Sequence, residues 1–133
     1  MSFSQIPETQ RNLGYYIAQY AREQIGKMFM NGCCGPAAFD NPGLAFAAHR
    51  HVGIQIGRTA YTQSLKGQPV IYSDLQPGDL IFFCVDRCGY PCDVAISLGG
   101  TLMVHIPQPQ QEVRMDRLDA YWYSMIKCAR RYW

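Results

Sequence analysis

Three positions in this chain could carry chemistry: Asp93, His105, and the residue that opens the helix expected near position 41. Asp93 and His105 lie on two alternating apolar runs, 93–98 and 102–106, divided by Gly99-Gly100. Two hairpin registers are open. A two-residue turn pairs Leu98 with Thr101 and sets Val94 opposite His105. A three-residue loop pairs Ser97 with Thr101 and sets Asp93 opposite His105. The second register aligns Val94 with Val104 and Ile96 with Leu102, which leaves one face wholly apolar. The other face then carries Asp93, Ala95, Ser97, Thr101, Met103 and His105. A one-residue slip would turn every side chain to the wrong face, so the second register is expected. Asp93 and His105 become cross-strand neighbours, with Cβ atoms about 5 Å apart. The carboxylate should favour the imidazolium and raise the His105 pKa above its ordinary value. An aspartate can hold a histidine and a histidine can deprotonate a thiol, so the pair supplies two thirds of a nucleophilic triad.

The nucleophile is the missing third. From Phe29 to Leu44 the chain runs Phe-Met-Asn-Gly-Cys-Cys-Gly-Pro-Ala-Ala-Phe-Asp-Asn-Pro-Gly-Leu, a Gly-rich approach to a helix that starts at Asn41 or Pro42. Asn41 is a favoured N-cap and Pro42 suits the first turn, where its absent N–H costs nothing. A helix N-terminus is a natural seat for an anion or a thiolate. Here the seat holds an amide, which has no ionisable proton in range and cannot form an acyl-enzyme. Cys33 and Cys34, eight and seven residues earlier, are the nearest thiols in sequence.

The same stretch resembles the nucleophile motif of the NlpC/P60 family of cysteine peptidases, which cleave peptidoglycan stem peptides. The family form is roughly Y-x-W-G-G-x-x-P-x-x-F-D-C-S-G-L. Phe29, Gly32, Pro36, Phe39, Asp40, Gly43 and Leu44 match it without a gap. Asn31 stands in place of Trp, Cys33 in place of Gly, and Asn41 in place of the catalytic Cys. Arg58, Thr59 and Gln63 resemble the family's R-[ST]-S-x-x-Q segment. Leu75, Pro77, Gly78, Asp79, Leu80, Ile81, Phe82 and Phe83 reproduce its L-x-P-G-D-L-[IV]-F-F signature. The resemblance implies a papain-like α+β fold with N-terminal helices packed on a five- or six-stranded antiparallel sheet. It implies that Asn41, Asp93 and His105 stand at the triad positions, Asp93 where the family has its base His and His105 where it has the orienting residue. It implies that Asp40, Arg58, Thr59 and Gln63 serve the binding site, although for Thr59 the local sequence favours a helix N-cap over substrate contact.

With thiol and base both replaced, the inherited mechanism is expected to be absent, and the cleft is expected to serve binding. The ligand implied is a peptidoglycan stem peptide or a protein partner. A second reading keeps a peptidase or amidase active on cell-wall peptides through Cys33 or Cys34, with His105 as base. A third makes the chain an assembly protein anchored by Tyr121, Trp122, Tyr123, Tyr132 and Trp133. No cofactor and no metal is expected.

Composition limits the remaining possibilities. The 133 residues are 48% hydrophobic and 17% charged, which suits a single globular domain spanning 1–133. A net charge of +2 is too small to argue for nucleic acid or a membrane surface. Residues 1–22 show neither an apolar signal-peptide core nor a run able to span a bilayer, while the family commonly acts outside the cytoplasm. That leaves the compartment unassigned. Six cysteines allow a disulfide in the 84–92 loop (Cys84, Cys88, Cys92) or free thiols, including Cys128. Their spacing fits structural zinc poorly.

The positioning elements follow in order. Residues 8–25 form an amphipathic helix with Leu13, Tyr16, Ile17, Tyr20, Ala21 and Gln24 on one face, Thr9 as a possible cap and Gly26 at its end. The motif helix covers about 41–52, with Leu44, Ala47, Ala48 and His51 on one face and Gly53 as its stop. A short helix runs from Thr59 to Lys66. From Val70 onward strands are expected at 70–72, 80–84, 93–98, 102–106, 111–115 and 124–130, with a turn at Pro77-Gly78.

Overall fold

The computed structural model describes residues 5–84, 91–107 and 111–133. Helix α1 (Glu8–Glu23) opens the chain, followed by the two-residue strands β1 (Met28–Phe29) and β2 (Ala38–Phe39), which pair in parallel. Helices α2 (Asn41–Arg50) and α3 (Ala60–Ser64) precede β3 (Gln68–Pro69). Strands β4 (Leu80–Phe83), β5 (Asp93–Gly99), β6 (Leu102–His105), β7 (Arg114–Arg117) and β8 (Ile126–Arg131) complete the sheet, with a short helix α4 (Ala120–Tyr123) before β8. The six strands lie in the order β3-β8-β4-β5-β6-β7, every pair antiparallel. This is the expected α+β architecture, with the larger of the two expected strand numbers.

The run Leu-Ile-Phe-Phe of β4 is buried along its whole length because both faces of the sheet are covered. Leu80 and Phe82 face the α1/α2 layer with Val94, Ile96 and Val104. Ile81 and Phe83 face a second core made by Leu75, Ala95, Met103, Leu118 and Ala129. Helix α1 reaches the sheet margin through a glycine. A Cβ on Gly14 would lie 2.4 Å from the Pro77 carbonyl oxygen, so only Gly lets the Pro77-Gly78 turn approach this closely.

Several local expectations change. Pro7, with no side-chain hydrogen bond, occupies the α1 cap position, so Thr9 falls inside the first turn and does not cap it. Tyr16 is exposed, whereas Gly14, Ile17, Ala18 and Ala21 form the buried face. His51 lies beyond α2, stacked at 5.0 Å on Tyr20, and His49 takes the buried place. Residues 72–74 form a 3-10 turn, and the edge strand lies earlier, at Gln68–Pro69. The Tyr-Trp-Tyr run, whose composition also suits a strand, is held helical by Asp119, which accepts from Trp122 N at 3.2 Å.

The β5–β6 hairpin departs from its expected register. Ile96 pairs with Val104 and Ser97 with Met103, a shift of two from the expected Ile96–Leu102 pairing. Gly99 and Gly100 both take positive φ (95° and 60°), so the chain makes a bulge at Leu98 and turns around Gly100-Thr101. An even shift leaves each side chain on its expected face. Val94, Ile96 and Val104 stay in the helix-side core, while Ala95 and Met103 stay in the other. What changes is the partner of each residue. Continued along the strands, this register sets His105 beside Ala95, not beside Asp93.

Candidate functional site

The α2 N-terminus is built on Asp40, not on Asn41. Asp40 is in extended conformation (φ −91°, ψ 176°) and its Oδ1 accepts from Gly43 N at 2.7 Å, the N-cap bond. Asp40 Oδ2 accepts from Gly32 N at 2.9 Å, and Arg58 donates to both carboxylate oxygens at 3.0 and 2.9 Å. One carboxylate thereby ties the Gly-rich loop, the helix start and the segment before α3. Burial opposes the charged form of Arg58, but the Asp40 hydrogen bonds outweigh it and hold the Arg58 pKa above its ordinary value. A Cβ on Gly43 would lie 2.2 Å from the Cys33 carbonyl oxygen, so the loop can close over the helix only at glycine.

Asn41 is the first helical residue, and its side chain points across to the sheet. Its Oδ1 accepts from Val94 N at 2.6 Å, and its Nδ2 donates to the Ile106 carbonyl at 3.0 Å. Val94 and Ile106 are buried, so both ends of the amide are spent on backbone groups that have little access to water.

Around this point lies an open cavity of about 580 Å³. Asp40, Asn41, Pro42, Arg58, Thr59, Cys92 and Asp93 are among the residues that line it. The structure thus gathers Asn41, Asp93, Asp40, Arg58 and Thr59 into one place. Thr59 is also the α3 N-cap, accepting from Thr62 N at 3.2 Å within a capping box, as its sequence position suggests. Gln63 is not at the cavity surface. It is fully buried and donates to the Pro42 and Gly57 carbonyls at 3.1 and 2.8 Å, fixing the loop behind Arg58.

His105 is not among the described residues lining the cavity, and its partner differs from the expected one. Its Nε2 donates to Asp116 Oδ2 on β7 at 2.6 Å, and Trp122 packs edge-on to its ring at 4.8 Å. Arg114 Nε also donates to that oxygen at 2.8 Å. Only 3% of the His105 side chain is exposed, and this burial pushes its pKa down against the pull of Asp116. The expected rise is therefore reversed, because desolvation outweighs the charge partner. Burial pushes the Asp116 carboxyl up, but its bonds to His105 and Arg114 win and hold it below its usual range. Sequence reasoning passed over Asp116, and it read Cys92 only as a loop cysteine, not as part of the cavity wall. The alternation Arg114-x-Asp116 on the strand after β6 was the available signal for Asp116.

Cys33 and Cys34 also lie off the cavity lining among the described residues. The Cys33 carbonyl accepts from Asp40 N at 2.8 Å and from Arg58 Nη2 at 3.4 Å, and Arg50 reaches Cys34. No hydrogen bond among the described residues joins either thiol to His105, whose Nε2 is engaged by Asp116. The expected disulfide of the 84–92 loop involves Cys88, which lies outside the described residues. Among the described residues no His, Cys, Asp and Glu group is placed to hold a metal, and no helix is long and apolar enough to cross a membrane.

The sequence profile of the NlpC/P60 family matches residues 26–131. A "probable endopeptidase" of Corynebacterium glutamicum is 46% identical over 70 residues, covering 53% of this chain and 34% of that protein. The chain thus spans about a third of the length of this curated relative. NlpC2 of Trichomonas vaginalis superimposes with a TM-score of 0.85 at 26% identity, over 98% of this chain and 50% of that one. The NlpC/p60 domain of the peptidoglycan hydrolase SagA gives a TM-score of 0.77 at 29% identity, over 89% of this chain and 97% of that one.

Proposed function

The chain belongs to the NlpC/P60 family, and we propose that it is a non-hydrolytic member that binds cell-wall peptides in the inherited cleft. Asn41 carries this reading. The motif position that resembles the family's nucleophile holds an amide whose oxygen and nitrogen are both committed to backbone, at Val94 and Ile106. A thiol serves catalysis because its thiolate is a strong nucleophile near neutral pH; an amide neither ionises in that range nor has a nucleophilic nitrogen, and this one is tied to backbone at both ends. The base position holds Asp93, a group poorly matched to deprotonating a thiol. What remains is an open cavity of about 580 Å³ with Arg58, Thr59 and Asp93 on its wall, in a family whose relatives include a peptidoglycan hydrolase. A stem peptide, with amide groups and free carboxylates, matches those polar groups chemically.

The test is co-sedimentation of the protein with purified peptidoglycan, followed by mass spectrometry of the soluble fraction. Retention on the sacculus with no released muropeptide is expected. Asn41→Cys alone should release none either, because Asp93 remains. Released fragments from the native protein would overturn the non-hydrolytic reading, and absence of retention would overturn the ligand.

A further inference from the structure

We propose that Cys33 and Cys34 form a thiol-exchange site for small anionic disulfides, closing reversibly into a Cys33–Cys34 disulfide, whatever the cleft binds. Both cysteines are half-buried in the loop between β1 and β2, and neither is in a disulfide. Arg50, exposed at the end of α2, places Nη1 4.0 Å from Cys34 Sγ and donates through Nη2 to the Cys34 carbonyl at 3.4 Å. Its guanidinium also covers the Phe46 ring at 5.3 Å. Arg58 next to it is neutralised by Asp40, but Arg50 has no acidic partner among the described residues. A cation without an acidic partner among the described residues therefore stands at the Cys34 thiol, whose chain neighbour is Cys33. Such a charge concentrates anionic reagents at the sulfur it overlies.

The exchange takes two steps. The Cys34 thiolate attacks one sulfur of the reagent RSSR, forming Cys34–S–S–R and expelling RS⁻. The Cys33 thiolate then attacks the Cys34 sulfur, forming Cys33–S–S–Cys34 and expelling the second RS⁻. Two protein thiols are oxidised, one disulfide is reduced, and the two thiol protons pass to solvent and the released thiolates. Adjacent Cα atoms are about 3.8 Å apart across a trans peptide, below the usual disulfide span of about 4.4–6.8 Å. The bridge is thus strained and readily reduced, so the site is reversible. Closure also reaches the cleft. The Cys33 carbonyl accepts from Asp40 N and Arg58 Nη2, and a Cβ on Gly43 would lie only 2.2 Å from it, so the loop has little room to move without shifting the α2 start.

The test treats the folded protein with dithiobis(nitrobenzoate), which is anionic, or with neutral dithiodipyridine, and follows the tryptic fragment 28–50. This fragment, which extends to Arg58 in the Arg50→Gln variant, holds Cys33 and Cys34 and none of the other four cysteines. Wild-type fragment should emerge two hydrogens lighter with no retained nitrobenzoate, while Cys33→Ser should retain one adduct on Cys34. Arg50→Gln should slow the anionic reagent about fivefold more than the neutral one, the effect of one unit charge about 4 Å away in water. A stable adduct on the wild-type fragment, an unreacted fragment, or equal slowing with both reagents would overturn the proposal.

Discussion

Asn41 Oδ1 accepts a hydrogen bond from Val94 N at 2.6 Å, joining the first residue of α2 to the second residue of β5. With the Nδ2 bond to Ile106 at 3.0 Å, one amide bridges a helix start, a strand and the segment leaving the next strand. A side chain that donates and accepts at once is required, and a thiol cannot do both at this strength.

Asn41→Ala leaves the Val94 N–H and the Ile106 carbonyl buried without their partner. The expected loss is about 2–6 kcal/mol, from roughly 1–3 for each of the two orphaned groups, and exceeds the roughly 1 kcal/mol of a lost cap. Urea unfolding measures it. A loss below about 1 kcal/mol would mean that the bridge contributes nothing beyond an ordinary surface amide.

Asp40→Ala removes the true cap and the bonds to Gly32 and Arg58, so it should cost at least about 2 kcal/mol. The Arg58 side chain is 36% exposed, so the ion pair itself should account for only about 1 kcal/mol of this in a double-mutant cycle with Arg58→Gln. A coupling of several kcal/mol would show the pair to be far better shielded than its exposure indicates.

His49 should give an acid-sensitive stability. Its Nδ1 lies 2.8 Å from the Ala45 carbonyl, which can only accept, so Nδ1 carries the proton and buried Nε2 has no partner. Burial lowers its pKa to about 4, against the pull of the Ala45 bond. Between about 4 and the ordinary 6.5 the unfolded chain binds the proton and the folded chain does not, so stability falls as pH drops through that window. Completed, the loss from this group is roughly 3 kcal/mol. Urea midpoints from pH 7.5 to 4.5 should decline in the native protein and decline less in His49→Gln. NMR should find His49 neutral at pH 5.5.

The His105 titration separates its two candidate partners. Asp116→Asn removes the groups that raise the His105 pKa and leaves burial unopposed, so it should titrate lower still. Asp93→Asn should leave it unchanged. If the Asp93 variant moves His105 and the Asp116 variant does not, the β5–β6 register described above is wrong.

Local signals in the sequence determined the scaffold. Pro77-Gly78, the Leu-Ile-Phe-Phe strand and Thr59 as a cap each depend on neighbours within a few residues and stand as expected, and the motif helix is present, though it ends at Arg50 and is capped by Asp40. The division of the hairpin residues between the two faces was legible too, since burial on one side fixes the parity of a strand. Tertiary structure decided the partners. Parity leaves registers two residues apart equivalent, so the bulge at Leu98 took His105 from Asp93 and the neighbouring strand gave it Asp116. Asp40 and Asn41 compete for one cap by local preference alone. The choice fell to Asp40 because Arg58 and Gly32, remote in sequence, meet its carboxylate, while Val94 and Ile106 offer Asn41 an unpaired donor and acceptor across the cleft.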